Sequence, residues 1–352
     1  MSSGLSGASR ERGFGGELRD AVTGRAALLV VGVLLLQFGF IVSYVGALHH
    51  PYPHRASIAV VAPAPAQDTL VRQLNGLPRQ VLKATAVPDE ATARQQIKDR
   101  TVYSALLFNA TGTQDTLLVA NAAGPALATA IGKVVTAADA AQHRTVATVD
   151  VVPLAPGDGG GLTSFYLVVG WCVGGYLVAS ILGISAGSRP ANGKRAVIRL
   201  GVLALYAVAA GIGGIVIVGS TVLDALLGGV WPLWGVGTLL VFAVGVFTMA
   251  LQCLFDIVGI GVAVLLFVVL GNPSAGGVYP PPMMPPFWRA IGPWLPNGAA
   301  TTVTRSVTYF DGAAITGPLL VLSAWAVAGA AVTLIAAGIK PRGGREDFPV
   351  ES

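Results

Sequence analysis

Of the 352 residues, 53% are hydrophobic and only 11% charged; the net charge is +5 and the mean hydropathy +0.69. A soluble globular chain carries about 25% charged residues, so this composition excludes an ordinary soluble protein and points to lipid. The positive surplus lies mostly in short basic segments beside apolar runs, and no nucleic acid is needed to explain it.

The chain opens on a tail, 1–25, holding Arg10, Arg12, Arg19 and Arg25. An apolar run over 25–48 follows, long enough at ~1.5 Å per residue to cross ~30 Å of hydrocarbon. A secretory signal has an apolar core of ~7–15 residues and a small-residue cleavage site. This run is longer and leads into His49, His50 and Pro51, so it is expected to stay in the chain as a first transmembrane helix, 26–48. His49, His50 and His54 suggest imidazole ligands for a divalent metal. Pro51 and Pro53 break any helix that would align them, and a polar, aromatic collar at the membrane surface is the better reading.

Residues 49–162 are expected to form an α/β domain. A β-branched run at 57–62, stopped by Pro63 and Pro65, reads as a buried strand. Asp68 is placed to cap a helix carrying Leu70, Val71, Leu74 and Leu77, with Gly76 and Pro78 interrupting it. A short strand at 84–87 comes next. Pro88, Asp89 and Glu90 then open a helix, with acidic side chains at its positive end and Ala93, Ile97 and Ala91 facing inward. Strands at 102–108 and 116–120 flank a turn at 109–114. A small-residue helix at 124–142 and a last strand at 145–154 complete the order βαβαββαβ. Both cysteines, Cys172 and Cys253, lie outside this domain, so it has no thiol for a disulfide. Nothing in it resembles a catalytic constellation, and the chain is expected not to be an enzyme.

Five more apolar runs are crowded at 164–187, 197–220, 231–251, 252–271 and 314–338. The expected fold is therefore a polytopic α-helical membrane protein. It has six transmembrane helices and an extracytoplasmic α/β domain inserted between helices 1 and 2; residues 163–338 form the five-helix part and 339–352 a second tail. Basic residues near a membrane favour the cytoplasmic side. They cluster in the first tail, in the loop holding Arg189, Lys194, Arg195 and Arg199, and in the last tail at Lys340, Arg342 and Arg345. The loops at 221–230 and 272–313 hold only Arg289 and Arg305. Both termini are accordingly expected in the cytoplasm.

Glycines at four-residue spacing, Gly170 with Gly174 and Gly183 with Gly187, let helices approach closely in lipid, within one bundle or across a dimer. Ionisable groups inside lipid would mark an ion route. Only Asp256 comes near, beside a tight turn at 251–255 where it reaches water, so proton coupling has little support. The run from Gly187 to Arg195 imitates a phosphate loop but has the wrong spacing and no Ser or Thr after Lys194. The segment 272–313 has too much proline and glycine for a spanning helix. Phe287, Trp288, Ile291, Trp294 and Leu295 are too apolar for a free loop, and two short helices dipping into the outer face reconcile the two.

The first span, the external domain with its strand at 58–63, the helix at 89–97 and the strand at 103–108 together resemble type-2 ABC exporter permeases. The likeness is strongest to the phage-infection-protein group of that family. Gly271 to Gly277, then Pro280, Pro285, Pro293 and Pro296, then Arg305, are similar to the Ser-Gly-Gly, proline and Leu-Pro…Arg signature before the last span of that family. The resemblance implies a permease in the plasma membrane of a bacterium, dimeric through its membrane helices as a homodimer or heterodimer. It also implies a separate ABC ATPase subunit that binds the ATP, this chain holding no cofactor of its own. Export of a lipid, polymer, peptide or drug-like molecule follows. In that picture Tyr279, Pro280, Phe287, Trp288 and Trp294 belong to an external gate at 272–313, while Arg189, Lys194, Arg195 and Asp256 face the ATPase. The alternative is a non-transporting member of the phage-infection-protein group whose external domain binds a cell-envelope partner.

Overall fold

Alternating strand and helix signals produce a five-stranded sheet whose central strand is buried on both faces. The computed structural model describes residues 23–219, 223–226 and 229–338. Residues 1–22 of the expected 1–25 tail, with Arg10, Arg12 and Arg19, and the whole expected tail 339–352, with Lys340, Arg342 and Arg345, lie outside the described residues. Helix α1, Gly24–Leu48, leads into β1, Ala56–Val61, whose Ile58 and Val60 point to one side and Ala59 to the other, all fully buried. Helix α2, Ala64–Asn75, and strand β2, Leu82–Ala86, follow, then α3, Glu90–Lys98, β3, Ser104–Leu107, and β4, Gln114–Val119. Helix α4, Pro125–Ala140, and β5, Thr145–Asp150, close the domain. The strand order is β2-β1-β3-β4-β5, all pairs parallel except β3 with β4.

Asp68 does not cap α2. Pro63 is the N-cap and the helix begins at Ala64, because Pro65, lacking an N–H, suits a first turn where that donor has no partner. Asp68 lies exposed within the helix. The expectation for α3 holds at its cap, where the Asp89 side chain accepts from the Thr92 amide at 2.7 Å. Ala93 and Ile97 are buried, but Ala91 is exposed. Asn75 ties α2 to the sheet edge, donating to the Ala84 carbonyl (3.0 Å) and accepting from its amide (2.8 Å).

Two apolar cores sandwich the sheet. On one face Leu70, Leu74, Leu127, Ile131 and Val135 from α2 and α4 cover Ile58, Leu106 and Leu117, and Met283 joins them from far along the chain. On the other, Ala93 and Ile97 of α3 pack with Ala105, Leu118 and Val152, and Phe310 completes the cluster. Each core therefore borrows a side chain from the C-terminal third.

Among the described residues five helices are long and apolar enough to cross a membrane, the pattern of a multi-pass membrane protein. These are α1, α5 (Thr163–Ala186), α6 (Gly193–Val218), α7 (Val230–Phe255) and α11 (Thr316–Gly338). Helix α7 is the axis of the bundle, packed against α5, α6 and α11. The run at 252–271 departs from expectation. Helix α7 continues to Phe255 and the chain turns at Asp256, with φ of 52°. Helix α8, Val258–Ser274, then resumes as a shorter apolar helix with a π-helical stretch at Leu265–Leu270. The uninterrupted apolar run hides the boundary, since Asp256 is the only charged residue from 230 to 288. At ~1.5 Å rise per residue, α8 falls somewhat short of ~30 Å.

The proline-rich segment folds as two short helices, as its composition suggested. Helix α9, Pro286–Ile291, has six residues, and α10, Pro296–Tyr309, is sunk among its neighbours, with ten of its fourteen residues buried. Bare backbone allows that depth. A Cβ on Gly298 would stand 2.1 Å from the Gly292 carbonyl, and one on Gly292 2.1 Å from that of Ser274.

Candidate functional site

The elements alternate in direction, so the bundle has two unlike ends. At one end the loop after α5 meets the turn between α7 and α8. The Ser188 hydroxyl donates to the Asp256 carboxylate, and Cys253 Sγ lies 3.6 Å from the Ser188 carbonyl. Arg189 Nε donates to the Ala336 carbonyl near the end of α11 (2.8 Å). Lys194 and Arg195 are exposed in the first turn of α6, where Asn192 caps by accepting from the Arg195 amide (2.9 Å). Arg199, which the sequence shows only as one more basic residue of this loop, has a structural role. It is buried and donates to the Ala186 and Gly187 carbonyls, closing the C-terminus of α5. The structure thus brings Arg189 and Asp256 together through Ser188, with Lys194 and Arg195 on the same loop.

At the other end the α/β domain sits on the helices. The five aromatic and proline candidates do not form one cluster. Tyr279 and Pro280 face the domain: Tyr279 packs against the core that Met283 enters, and Pro280 fills the space a side chain on Gly124 would need, a glycine held at φ 145°. Trp288 is buried against Ala47 and Met284, with Phe287 edge-on to it at 5.0 Å and itself exposed. Trp294 is 70% exposed, and its carbonyl accepts from Trp325 Nε1 (2.8 Å).

Among the described residues no group of three or more His, Cys, Asp and Glu gathers as a metal site. His49 Nδ1 pairs with the Val45 carbonyl (2.9 Å), and the His54 amide donates to the Pro282 carbonyl (2.8 Å). The glycine pairs divide in the same way. Gly174 and Gly183 pack on Tyr206 and Gln252, whereas Gly170 and Gly187 face open space.

The feature with the greatest chemical content lies between domain and bundle and involves residues that sequence reasoning did not group. Arg305 of α10 is 4% exposed and donates to three carbonyls, Gly276 (3.1 Å), Gly277 (3.3 Å) and Gly161 (3.3 Å). Arg100, just after α3, reaches down to the same helix. It donates to the Thr302 carbonyl (3.1 Å) and the Ser306 hydroxyl (2.5 Å), with Phe310 under its guanidinium at 5.1 Å. Its φ of 61° is left-handed, a conformation that costs a non-glycine residue roughly 1–2 kcal/mol and is tolerated where surroundings enforce it.

Among the described residues neither arginine has a carboxylate within ion-pair distance. Asp158, the acid whose charge acts on Arg305, is buried and already engaged, accepting from the Tyr309 hydroxyl (2.6 Å) and the Thr163 amide (2.9 Å). Burial, with help from the neighbouring Arg100 and against the opposing pull of Asp158, lowers the pKa of Arg305 to about 10. Burial lowers Arg100 as well and raises the phenol of Tyr103 beside it. Both guanidiniums remain charged at neutral pH. They line a cavity of about 400 Å³ together with Tyr103, Thr301, Trp294 and Val321. The signal available in the sequence was Arg305 itself, the one charge in the 14-residue α10. Arg100 carried none, because a basic residue after a surface helix is ordinary.

No protein-family model, curated protein or solved structure matches the chain.

Proposed function

We propose that this chain is the permease subunit of an ABC-type exporter in a bacterial plasma membrane, with both termini cytoplasmic and the α/β domain outside. A separate ATPase supplies the energy. The observation that carries this reading is the contact of Ser188 with Asp256, which unites the basic loop and the α7–α8 turn into one polar surface at the end away from the α/β domain. An ATPase docking there would press on the ends of α5, α6, α7 and α8 at once, and α7 touches both α5 and α6 along the bundle. Basic residues on that surface agree with a cytoplasmic location. Helix α8 serves as the sixth crossing element, its short length completed by the connection that runs to α9 and α10. The open glycines Gly170 and Gly187 leave room for a second membrane subunit, a copy or a homologue.

The test is co-purification of the tagged chain from its native membrane in mild detergent, with ATP hydrolysis assayed. A stoichiometric ATPase, lost when Lys194→Glu and Arg195→Glu are combined, is the expected result. Retention of the ATPase by that variant would sink the docking surface, and a preparation without any ATPase would favour the anchored, non-transporting protein.

A further inference from the structure

An isolated guanidinium taken out of water is costly, and proteins recover that cost by pairing it. Here two guanidiniums line one cavity, donate only to carbonyls and the Ser306 hydroxyl, and repel each other. Arg305 spends three of its five N–H donors and Arg100 two. With Asp158 the one buried acid acting on Arg305 among the described residues, two guanidiniums against one carboxyl group leave the junction one positive charge in excess. Helix α11 starts at Thr316 on the same wall, and the positive end of a helix favours an anion further.

The rest of the lining is apolar. Pro293, Trp294, Ala299, Pro318 and Val321 are part of the cavity lining. Trp294 and Gly317 are exposed, and so mark its mouth, next to the apolar surface of α11. Sites of about 300–1,000 Å³ hold small ligands or parts of larger ones, and about 400 Å³ is enough for a charged headgroup and the start of a chain.

We infer that this cavity binds the anionic head of an amphiphile, a phosphate or carboxylate held between Arg100 and Arg305 with its apolar chain leaving past Trp294 and Gly317. A phosphate oxygen accepts readily from such forked donors, and the low polarity around it strengthens each bond. The site lies at the seam where Arg100 of the α/β domain rests on α10, so an occupant would bridge domain and bundle. This inference does not depend on an ATPase partner; it holds or fails for the purified chain alone.

The experiment is native mass spectrometry of the full chain in neutral detergent, titrated in parallel with phosphatidic acid, phosphatidylcholine of the same chains, and inorganic phosphate. Phosphatidic acid is expected to bind at least tenfold more tightly than phosphatidylcholine, with inorganic phosphate too weak to displace it at equal concentration. Arg100→Gln should erase the preference. Because a variant at the junction risks the fold, Gly317→Trp supplies a second reading: Gly317 faces open space, so a tryptophan there obstructs the mouth without touching the core and should weaken phosphatidic acid at least tenfold. Equal affinity for the two lipids, or full binding by both variants, would overturn the site. Inorganic phosphate binding as tightly as phosphatidic acid would overturn the amphiphile and leave a plain anion.

Discussion

Asp139 gives the α/β domain a measurable pH dependence. Its carboxyl is 2% exposed in the last turn of α4, and its Oδ2 has no hydrogen-bond partner. Burial raises its pKa from the ordinary 3.8 to about 6, helped by repulsion from Asp115 and opposed by Arg144. The negative end of α4 disfavours the carboxylate as well. A raised acid binds its proton more tightly in the folded state, so the stability it contributes is present below pH ~4 and is lost as pH rises through ~6. The ceiling is about 3 kcal/mol at ~1.4 kcal/mol per unit. Asp139 also lines a cavity of about 260 Å³ rimmed by the exposed Gln73 and Gln142, and water there roughly halves the effect, to about 1–2 kcal/mol. Asp139→Asn keeps the shape and removes the charge. Amide exchange of α4 and β4, compared between variant and parent at each pH so that intrinsic exchange cancels, should show the variant more protected by about that amount at pH 7 and nearly equal at pH 4. A difference that is the same at both pH values, or larger at pH 4 than at pH 7, would refute the linkage.

Other expectations follow from single contacts. Gly298→Ala drives a Cβ into the Gly292 carbonyl, and overpacking of this kind costs about 1–3 kcal/mol; a lower apparent Tm in detergent is expected, with Gly170→Ala, which meets nothing, unchanged. Tyr309→Phe removes the hydroxyl that donates to Asp158, and a buried acceptor left short costs about 1–3 kcal/mol, so its thermal transition should fall while Tyr166→Phe, exposed at the start of α5, leaves it in place. Arg144→Met takes from the buried Asp115 a partner bonded twice, Nε to Oδ2 at 2.7 Å and Nη2 to Oδ1 at 2.6 Å; faster exchange in β4 is expected. For orientation, Thr111→Cys in the β3–β4 turn and Ala191→Cys in the basic loop, both exposed, should react on opposite sides of intact cells with a membrane-impermeant maleimide. Labelling of both from outside would contradict the proposed topology.

The α/β domain was legible because its signals are local: β-branched runs, prolines, and an acid ahead of α3. A local cue can also mislead: Asp68 has the chemistry of an N-cap, yet Pro63 and Pro65 start the helix before it. The bundle was legible as a set of apolar runs but not in its joints, since hydropathy is blind to the single positive φ at Asp256 that divides α7 from α8. The junction was least legible of all. Arg100 and Arg305 are about two hundred residues apart in the chain, and only the packing of α3's end on α10 makes them neighbours.

Met283 and Phe310 are synthesised well over a hundred residues after Asp150 closes the sheet. At ~5–20 residues per second, the α/β domain waits roughly 8–30 seconds for the side chains that finish its two cores. During that interval each face of the sheet carries an open apolar site, first shut by the residue leading into α9 and then by the one that ends α10. The domain is encoded early and completed late, so a chain that stops before Met283 carries all five strands and neither closure.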